Sequence, residues 1–243
     1  MIDIKIENFG IRPLPNLETK FVSANTLIGI EKPREQGELF DNPETKKLED
    51  SLKKVRHKIF NSKSPGRKRE LRDEDKALRE QIAELLIEGG WENKTARQLA
   101  SWDPYDQNAS SPFFDPERMF GIGDGFDVVI GNPPYKIVKS TNTEKDILKK
   151  YFAYYSATFK VNLYSLFLEK SLSLGKNPHS IHTYIVPDTS LNLPAFKNLR
   201  KLIAIDNSLK SISYYDEQIF ENTEVGKSVI LHYVKNKDNG NPI

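Results

Sequence analysis

Apolar residues along the chain recur in two different rhythms, one helical and one typical of strands. The helical rhythm occupies residues 44–88, which are dense in charge and poor in β-branched residues. It consists of two stripes: Leu48, Leu52, Val55 and Ile59, followed by Leu78, Ile82 and Leu85. This spacing predicts helices over 44–61 and 68–88 that pack on each other as a hairpin. The break between them, Asn61 to Gly66, has the serine, proline and glycine chemistry of a loop.

Short apolar runs predict strands on both sides of this region. Residues 19–23 predict one strand. The nearly continuous run at 126–130 is typical of a strand that is buried on both faces of a parallel sheet. Beyond it, predicted helices (144–158, 162–175 and 194–205) are interspersed with predicted strands (181–186, 209–214 and 227–235). The pattern predicts an α/β fold in which helices cover a sheet.

The helix predicted from 162 has a recognisable start and a buried side. Asn162 is a favourable N-cap residue. The residues expected to face the core are Leu163, Leu166, Phe167 and Leu174. Segment 101–118 is rich in proline, aspartate and aromatic residues, and is expected to be irregular.

Composition narrows the class of protein. The chain has 243 residues, of which 37% are hydrophobic and 29% charged, which suits one domain or one domain with an insertion. The longest apolar runs fall far short of a membrane span, so no membrane partner is expected, and no signal peptide is visible. The absence of cysteine excludes disulfides and thiolate metal sites, and fits a cytoplasmic location. We predict no metal.

The net charge of +2 does not indicate a nucleic-acid partner, but its distribution is uneven. Between Lys46 and Glu80 there are 13 Lys or Arg against 7 Asp or Glu, a local net charge of +6. Two interpretations stay open: a solvated antiparallel helix pair, or a basic arm near the DNA backbone.

The strongest chemical signal is Gly131-Asn132-Pro133-Pro134-Tyr135, directly after the predicted strand at 126–130. Ligands of open α/β sheets bind beyond the carboxyl ends of strands. Each proline has a fixed φ and restricts the residue before it, so the Pro133 carbonyl is held rigidly outside a helix. This carbonyl and the Asn132 side-chain oxygen are two fixed acceptors, and the Tyr135 ring can stack on a flat base.

Two acceptors beside an aromatic ring suit methyl transfer to an exocyclic amine. The lone pair of an aryl amine is delocalised into its ring, so the nitrogen is a poor nucleophile. Acceptors that draw on its two hydrogens raise the electron density on nitrogen, which is electrostatic preorganisation rather than base catalysis. A base in a duplex must first be flipped out, and it then needs a stacking partner such as Tyr135.

On these residues the chain resembles the gamma-type amino-methyltransferases, most closely the methylase portion of type IIG restriction–modification enzymes. Leu17–Gly29 resembles the family's third motif, in which Asn25 would lie near the adenine of S-adenosylmethionine. Asn162–Phe167, with Leu163, resembles the helix that lines the cofactor pocket, and Gln218-Ile219-Phe220 resembles the eighth motif, in which Phe220 packs on the far face of the flipped base.

The resemblance implies a fold, a reaction and a set of site residues. The fold is a partial Rossmann-like, S-adenosylmethionine-dependent methyltransferase sheet with a helical insertion. The reaction is methylation of adenine N6 in double-stranded DNA, within a restriction–modification or phage-defence system. Expected catalytic residues are Asn132, Pro133, Pro134 and Tyr135, expected stacking residues are Tyr135 and Phe220, and expected donor-binding residues are Asn25, Asn132 and Leu163.

The chain also departs from the family pattern. A donor loop must follow a strand and open a helix, whereas Gly121-Ile122-Gly123-Asp124-Gly125 precedes a strand and is expected to be a turn. A target-recognition region and a nuclease region are also not found. The chain is therefore expected to be truncated at both ends, inactive in isolation, and dependent on missing parts, a complementing subunit or homo-oligomerisation, because an incomplete sheet exposes apolar edges.

Domain boundaries and alternative functions follow from the same residues. We predict the start of the methyltransferase core at 1–30, a charged helical insertion with an irregular approach at 31–118, and the catalytic core at 119–243. Asn-Pro-Pro-Tyr also suits methylation of protein glutamine or RNA guanine. Methylation of cytosine N4 is less favoured, because those enzymes usually have serine at the position of Asn132. A non-catalytic DNA-binding subunit of a split enzyme is the remaining alternative.

Overall fold

The computed structural model describes residues 17–30, 43–106, 108–139, 141, 143–158, 161–217, 219 and 227–236. These residues form two compact units. The helical unit lies within Met1–Asn25 and Gly29–Gly121, and the sheet unit lies within Thr26–Ile28 and Ile122–Ile243. The boundaries predicted after residues 30 and 118 stay predictions. No helix of the described residues is long and apolar enough to cross a membrane.

The helical unit consists mainly of helices, with one pair of very short strands. In chain order its elements are β1 (Ser23–Ala24), α1 (Pro43–Asn61), α2 (Pro65–Glu88), α3 (Asn93–Ser101), β2 (Ser110–Ser111) and α4 (Pro116–Phe120). The predicted strand at 19–23 is wrong over most of its length, because Glu18–Lys20 form a 3-10 turn. Strand β1 pairs in parallel with β2.

The predicted helical hairpin is confirmed. Leu52, Val55 and Ile59 of α1 are buried, as is Ile82 of α2. Helix α2 begins three residues before the predicted start, because Ser64 caps it and Pro65 occupies its first turn, where a missing N–H costs nothing.

A buried carboxylate joins the two helices to the segment that follows α3. Asp75 of α2 is fully buried and accepts hydrogen bonds from Arg56 Nε at 2.9 Å, from Arg79 Nε at 2.8 Å and from the Tyr105 hydroxyl at 2.9 Å. Arg79 also donates to the Trp102 carbonyl oxygen. Three donors on one carboxylate compensate its removal from water.

The segment predicted to be irregular at 101–118 ends in a short helix. Asp115 caps α4 by accepting a hydrogen bond from the Arg118 N–H, and Pro116 occupies the first turn. Gly121 ends α4 with a φ of 74°, a left-handed conformation that glycine adopts without a steric penalty. The prediction that residues 121–125 form a turn rather than a donor loop is confirmed, since β3 follows them.

The sheet unit has one four-stranded sheet with helices around it. Its elements are β3 (Val128–Gly131), α5 (Lys145–Phe152), α6 (Leu163–Leu174), β4 (Ile181–Pro187), α7 (Thr189–Asn192), α8 (Lys197–Lys201), β5 (Ser208–Tyr215) and β6 (Ser228–Val234). The strand order is β3-β4-β6-β5. Strands β3 and β4 are parallel, while β6 runs antiparallel to both β4 and β5. The α/β prediction is confirmed.

Strand β3 lies at the edge of the described sheet, and this corrects one prediction. Val128 is 49% exposed and Ile130 is 76% exposed, so the strand is not buried on both faces. The apolar run shows that the strand can be buried, but burial also requires residues that cover each face, and the described residues leave the face with Val128 and Ile130 exposed. Among the described residues, only β4 pairs with it.

Helix α6 is buried around most of its circumference, which corrects the predicted buried side. Of the four predicted core positions, Leu166 is buried, whereas Leu163, Phe167 and Leu174 are only half-buried. Tyr164, Leu168 and Leu172 are buried as well. Asn162 is its N-cap residue, although its side chain makes no capping hydrogen bond. The helix predicted at 194–205 is divided into a 3-10 turn (Pro194–Phe196), α8 and a π-helical turn (Leu202–Asp206).

Candidate active site

The segment Asn132–Tyr135 follows β3 at the edge of the sheet where β4 also ends. The two strands are parallel, with Gly131 level with Tyr184, so their carboxyl ends lie side by side. Asn132 and Pro134 are exposed and Pro133 is buried. The segment therefore combines a rigid, partly buried backbone with the solvent-exposed amide side chain of Asn132, which a ligand can reach.

Glycine at 131 is required by close packing. A Cβ built on Gly131 would lie 2.5 Å from a ring carbon of Tyr184, which real Cβ atoms essentially never do. Tyr184 is buried in the core of the sheet unit, so its ring cannot move away easily. The close approach of this ring to the backbone is the physical reason for glycine immediately before Asn132.

Tyr135 is held at both its hydroxyl and its ring. Its hydroxyl donates to the Ile185 carbonyl oxygen at 3.0 Å, and its ring meets Tyr164 edge-on, with 6.2 Å between centroids and 86° between planes. Tyr164 in turn packs on Phe196 at 5.0 Å. Burial raises the pKa of Tyr135, so the phenol stays neutral and offers a ring surface rather than a base.

The chain after Tyr135 is pinned to the beginning of α6. The Leu163 N–H donates to the Lys136 carbonyl oxygen at 2.9 Å, and the Val138 N–H donates to the Val161 carbonyl oxygen at 2.8 Å. A bridge between Ile137 and Asn162 completes this short antiparallel pairing. The structure thus brings Leu163 next to the segment that contains Tyr135.

Two polar side chains at the beginning of α6 adjoin this segment. Asn162 Oδ1 is buried and forms no hydrogen bond with any described residue. Tyr164 is 1% exposed, and burial raises the pKa of its hydroxyl, which interacts with the Thr189 side chain.

A charged cluster stands at the same edge of the sheet, at the end of β4. The Asp188 N–H donates to the Lys227 carbonyl oxygen at 3.0 Å, and Asp188 Oδ2 accepts from the Tyr214 hydroxyl at 3.2 Å. Lys227 also forms an ion pair with Asp216. These contacts hold the ends of β5 and β6 together at this edge. Gln218 and Phe220, predicted in the segment between those strands, lie outside the described residues.

The residues predicted near the donor do not all belong to one unit. Asn25 lies in the helical unit, where its N–H donates to the Ser111 carbonyl oxygen at 2.9 Å, a contact suited to a turn position. Leu27, two residues later, belongs to the sheet unit and packs on Val161 and Leu166. The Tyr154 hydroxyl donates to the Leu27 carbonyl oxygen at 2.8 Å.

Sequence reasoning missed Tyr164, Tyr184 and the Ile185 carbonyl as parts of the site. Tyr164 stands in the resemblance segment Asn162–Phe167 and could have been singled out as an aromatic beside the apolar positions. The other two carry no signal, because they act through the register of β4 against β3.

A cavity of about 310 Å³ lies in the helical unit, and none of the predicted site residues lines it. Arg56, Trp102 and Arg118 are among the residues that line it. Glu49, also on its wall, has a pKa raised by burial and lowered in part by Arg118 nearby. The rigid acceptors of the Asn-Pro-Pro-Tyr segment lie in the sheet unit instead.

The model of the Eco57I restriction–modification methylase family matches residues 18–220, which is most of the chain. The chain belongs to this family. The match includes the helical insertion as well as the Asn-Pro-Pro-Tyr segment and most of the sheet unit. The predicted membership in type II restriction–modification methyltransferases is confirmed.

Curated relatives agree with the family match. The chain is 34% identical over 119 residues to the type II restriction enzyme and methyltransferase RM.Eco57I of Escherichia coli, covering 47% of this chain and 12% of that protein. It is 32% identical over 119 residues to the type II methyltransferase M.TthHB8I of Thermus thermophilus, covering 46% of this chain and 27% of that protein. The matched region is thus a minor part of each relative.

A solved structure from Listeria monocytogenes, described as an S-adenosylmethionine-dependent methyltransferase of class I, gives a TM-score of 0.39 at 16% identity. The alignment covers 69% of this chain and 53% of the Listeria chain. This likeness is too low to bear on the fold or the function.

Proposed function

We propose that the chain contains the target-base site of an S-adenosylmethionine-dependent methyltransferase that acts on N6 of a flipped adenine in double-stranded DNA. The supporting observation is a neutral tyrosine, fixed at its ring and its hydroxyl, beside an exposed asparagine and two prolines at the carboxyl end of a parallel strand. Membership in a restriction–modification methylase family supports DNA as the substrate.

Asn132 and Pro133 hold the amino group of the base. The Asn132 Oδ1 atom and the Pro133 carbonyl oxygen each accept one N–H of the adenine N6. This pulls the two hydrogens into fixed directions and leaves the nitrogen lone pair free to attack. The rigidity of the two prolines keeps the acceptors in place, so little reorganisation is needed as positive charge develops on nitrogen.

The ring of Tyr135 stacks on one face of the flipped base. Stacking of a base on an aromatic side chain contributes about 1–3 kcal/mol, comparable with the cost of unpairing a base in a duplex. The hydroxyl contact with Ile185 and the edge contact with Tyr164 hold the ring before the base arrives. Phe220 is proposed to cover the opposite face.

The residues around the α6 start fit the donor, because they combine apolar and unsatisfied polar atoms. Leu163 offers an apolar side chain, while Asn162 Oδ1 is a buried acceptor without a described partner. Asn132 is the remaining residue of the sheet unit proposed to hold it, and the role of Asn25 stays a prediction from the sequence. When bound, S-adenosylmethionine supplies the electrophilic methyl group.

The base site can be tested by a binding measurement that does not depend on methyl transfer. The full chain is titrated with fluorescent duplexes that differ only in one unpaired base, adenine or cytosine. We expect binding to unpaired adenine to be about tenfold tighter, because stacking and two acceptor contacts distinguish it. Asn132→Ala and Tyr135→Ala should remove this preference, whereas Asn192→Ala, at an exposed asparagine of α7, should keep it.

Mass spectrometry of unmethylated genomic DNA incubated with the chain and isotopically labelled donor identifies the product. N6-methyladenine that disappears in Asn132→Ala supports the proposal. Label on cytosine, on protein glutamine or on RNA would overturn the adenine assignment, as would equal affinity for the two unpaired bases.

A further inference from the structure

The closed end of the α1–α2 hairpin has an extreme charge. Residues 51–72 contain nine lysines and arginines and one glutamate, a local net charge of +8 in a chain whose total is +2. We call seven of these cations the basic tip: Lys54, Lys58, Lys63, Arg67, Lys68, Arg69 and Arg72. The last turns of α1, the connecting loop and the first turns of α2 therefore form one cationic surface.

Most of this charge is exposed and not neutralised within the protein. Five residues of the basic tip are exposed, and Lys68 and Arg72 are half-buried. Four form no ion pair with any residue that the structure describes: Lys54, Lys58, Lys63 and Arg69. Arg67 pairs with the exposed Glu70 at 2.7 Å, and exposed pairs of this kind contribute little. The surface can therefore attract a polyanion.

The placement of the charge opposes the local electrostatics of α2. A helix N-terminus carries partial positive charge and favours acidic residues in its first turn. In α2 this turn contains no acidic residue, and it is followed at once by Arg67, Lys68 and Arg69. Such an arrangement is unfavourable for an isolated helix and becomes favourable when an anion binds there.

The size of the basic tip fits several phosphates. Lys54 to Asn61 and Pro65 to Arg72 each span about 11 Å of helix at about 1.5 Å per residue, so the cations lie within about two helical turns of the closed end. Apart from Glu70, the acidic residues of α2 begin at Asp73. A groove along α2 continues from Lys68 to Lys76 but has Asp103 and Asp106 on its wall. The closed end is the part in which cations outnumber acidic residues most strongly.

We propose that the basic tip contacts the phosphate backbone of duplex DNA and adds affinity that does not depend on sequence. This inference rests on the DNA substrate proposed above. It assigns to the helical insertion the contact with the backbone, and to the Asn-Pro-Pro-Tyr segment the recognition of the base. Contacts with phosphates position a protein on the duplex, whereas contacts with bases specify the site.

The experiment measures how the affinity of the full chain for duplex DNA depends on salt. The tip variant is Lys58→Gln/Lys63→Gln/Arg69→Gln. The control variant, Lys46→Gln/Lys47→Gln/Lys94→Gln, removes the same charge from exposed lysines at the beginning of α1 and in α3. Each phosphate contact contributes about 0.9 to the slope of log affinity against log salt, so the tip variant should lose about 2–3 from this slope and bind at least about tenfold more weakly at moderate salt.

The preference for unpaired adenine separates this inference from the proposed function. The tip variant should bind adenine and cytosine duplexes more weakly by the same factor and keep their ratio, whereas Tyr135→Ala should lose the ratio and keep the salt slope. A tip variant with the slope of the control overturns the inference, as does a native chain that does not bind duplex DNA at low salt. Binding to polyglutamate as tight as to DNA of equal charge would overturn the assignment to DNA. Circular dichroism checks that both variants are folded.

Discussion

Asp75→Asn should destabilise the helical unit strongly. The Asp75 carboxylate is fully buried between Arg56 and Arg79, whose side chains are 11% and 8% exposed. The negative charge of Asp75 therefore compensates the buried positive charges of the two arginines, and they compensate the charge of Asp75. The amide of asparagine is nearly the same size but has no charge, and its NH₂ group cannot accept from a guanidinium. Breaking a buried ion pair by removing one partner costs about 3–5 kcal/mol. That is a large part of the about 5–15 kcal/mol typical of a whole domain.

Tryptophan fluorescence can follow this unit selectively. The two tryptophans of the chain, Trp91 and Trp102, both lie in the helical unit and both are buried. In urea, a loss of about 4 kcal/mol lowers the unfolding midpoint by about 2 M for a typical m-value of about 2 kcal/mol/M.

Asp73→Asn is the matched control, since Asp73 is exposed and lies two residues away on the same helix. We expect it to change the free energy of unfolding by less than about 0.5 kcal/mol. If Asp75→Asn came within about 1 kcal/mol of this control, the compensation of charge around Asp75 would not be what holds α1, α2 and the segment after α3 together.

Three further predictions concern the sheet unit. Gly131→Ala should cost about 1–3 kcal/mol, because its methyl group collides with the Tyr184 ring, and this should appear as faster hydrogen exchange of the β3 and β4 amides. Tyr135→Phe removes the hydroxyl contact with Ile185 but keeps the ring, so it should cost about 0.5–1.5 kcal/mol while most of the preference for unpaired adenine remains. Burial lowers the pKa of His182 to about 4, so the unfolded state binds a proton first as pH falls below about 6.5, and stability should drop by about 2 kcal/mol between pH 7 and pH 5.

Each of these predictions has its own control. Gly29→Ala introduces the same methyl group where nothing lies within 4 Å, and should leave amide exchange unchanged. Tyr155→Phe alters an exposed tyrosine and should leave both stability and base preference as they are. For the pH profile, His182→Gln should flatten the loss of stability below pH 6.5. An unchanged profile would show that another group causes it.

Local periodicity was enough to predict the long elements. Helices α1, α2 and α6 and strands β4, β5 and β6 were found within a few residues of their ends, because each has an apolar repeat or a capping residue of its own. Short elements were not found. Helix α4 has five residues and depends on its cap at Asp115 and on the buried Met119, and α3 carries only two fully buried side chains.

The chemistry of the candidate site was predictable in part. Asn132, Pro133, Pro134 and Tyr135 are contiguous, and the restricted backbone of a proline pair is a local property, so a rigid acceptor segment after a strand could be read from the chain. What holds Tyr135 could not. Its hydroxyl partner Ile185 is fifty residues away, and its ring neighbour Tyr164 is on a helix whose buried positions were predicted only in part.

The amino-acid sequence by itself determined the helical hairpin, strands β3 to β6, the acceptor segment and the excess of positive charge at 51–72, because periodicity, proline geometry and charge belong to neighbouring residues. Only the tertiary structure decided that β3 lies at the edge of the described sheet, that Gly131 is needed against Tyr184, and that Asp75 balances Arg56 and Arg79. These properties depend on register and packing between residues far apart in the chain. Their energies arise when distant surfaces exclude water together, and no local pattern contains that information.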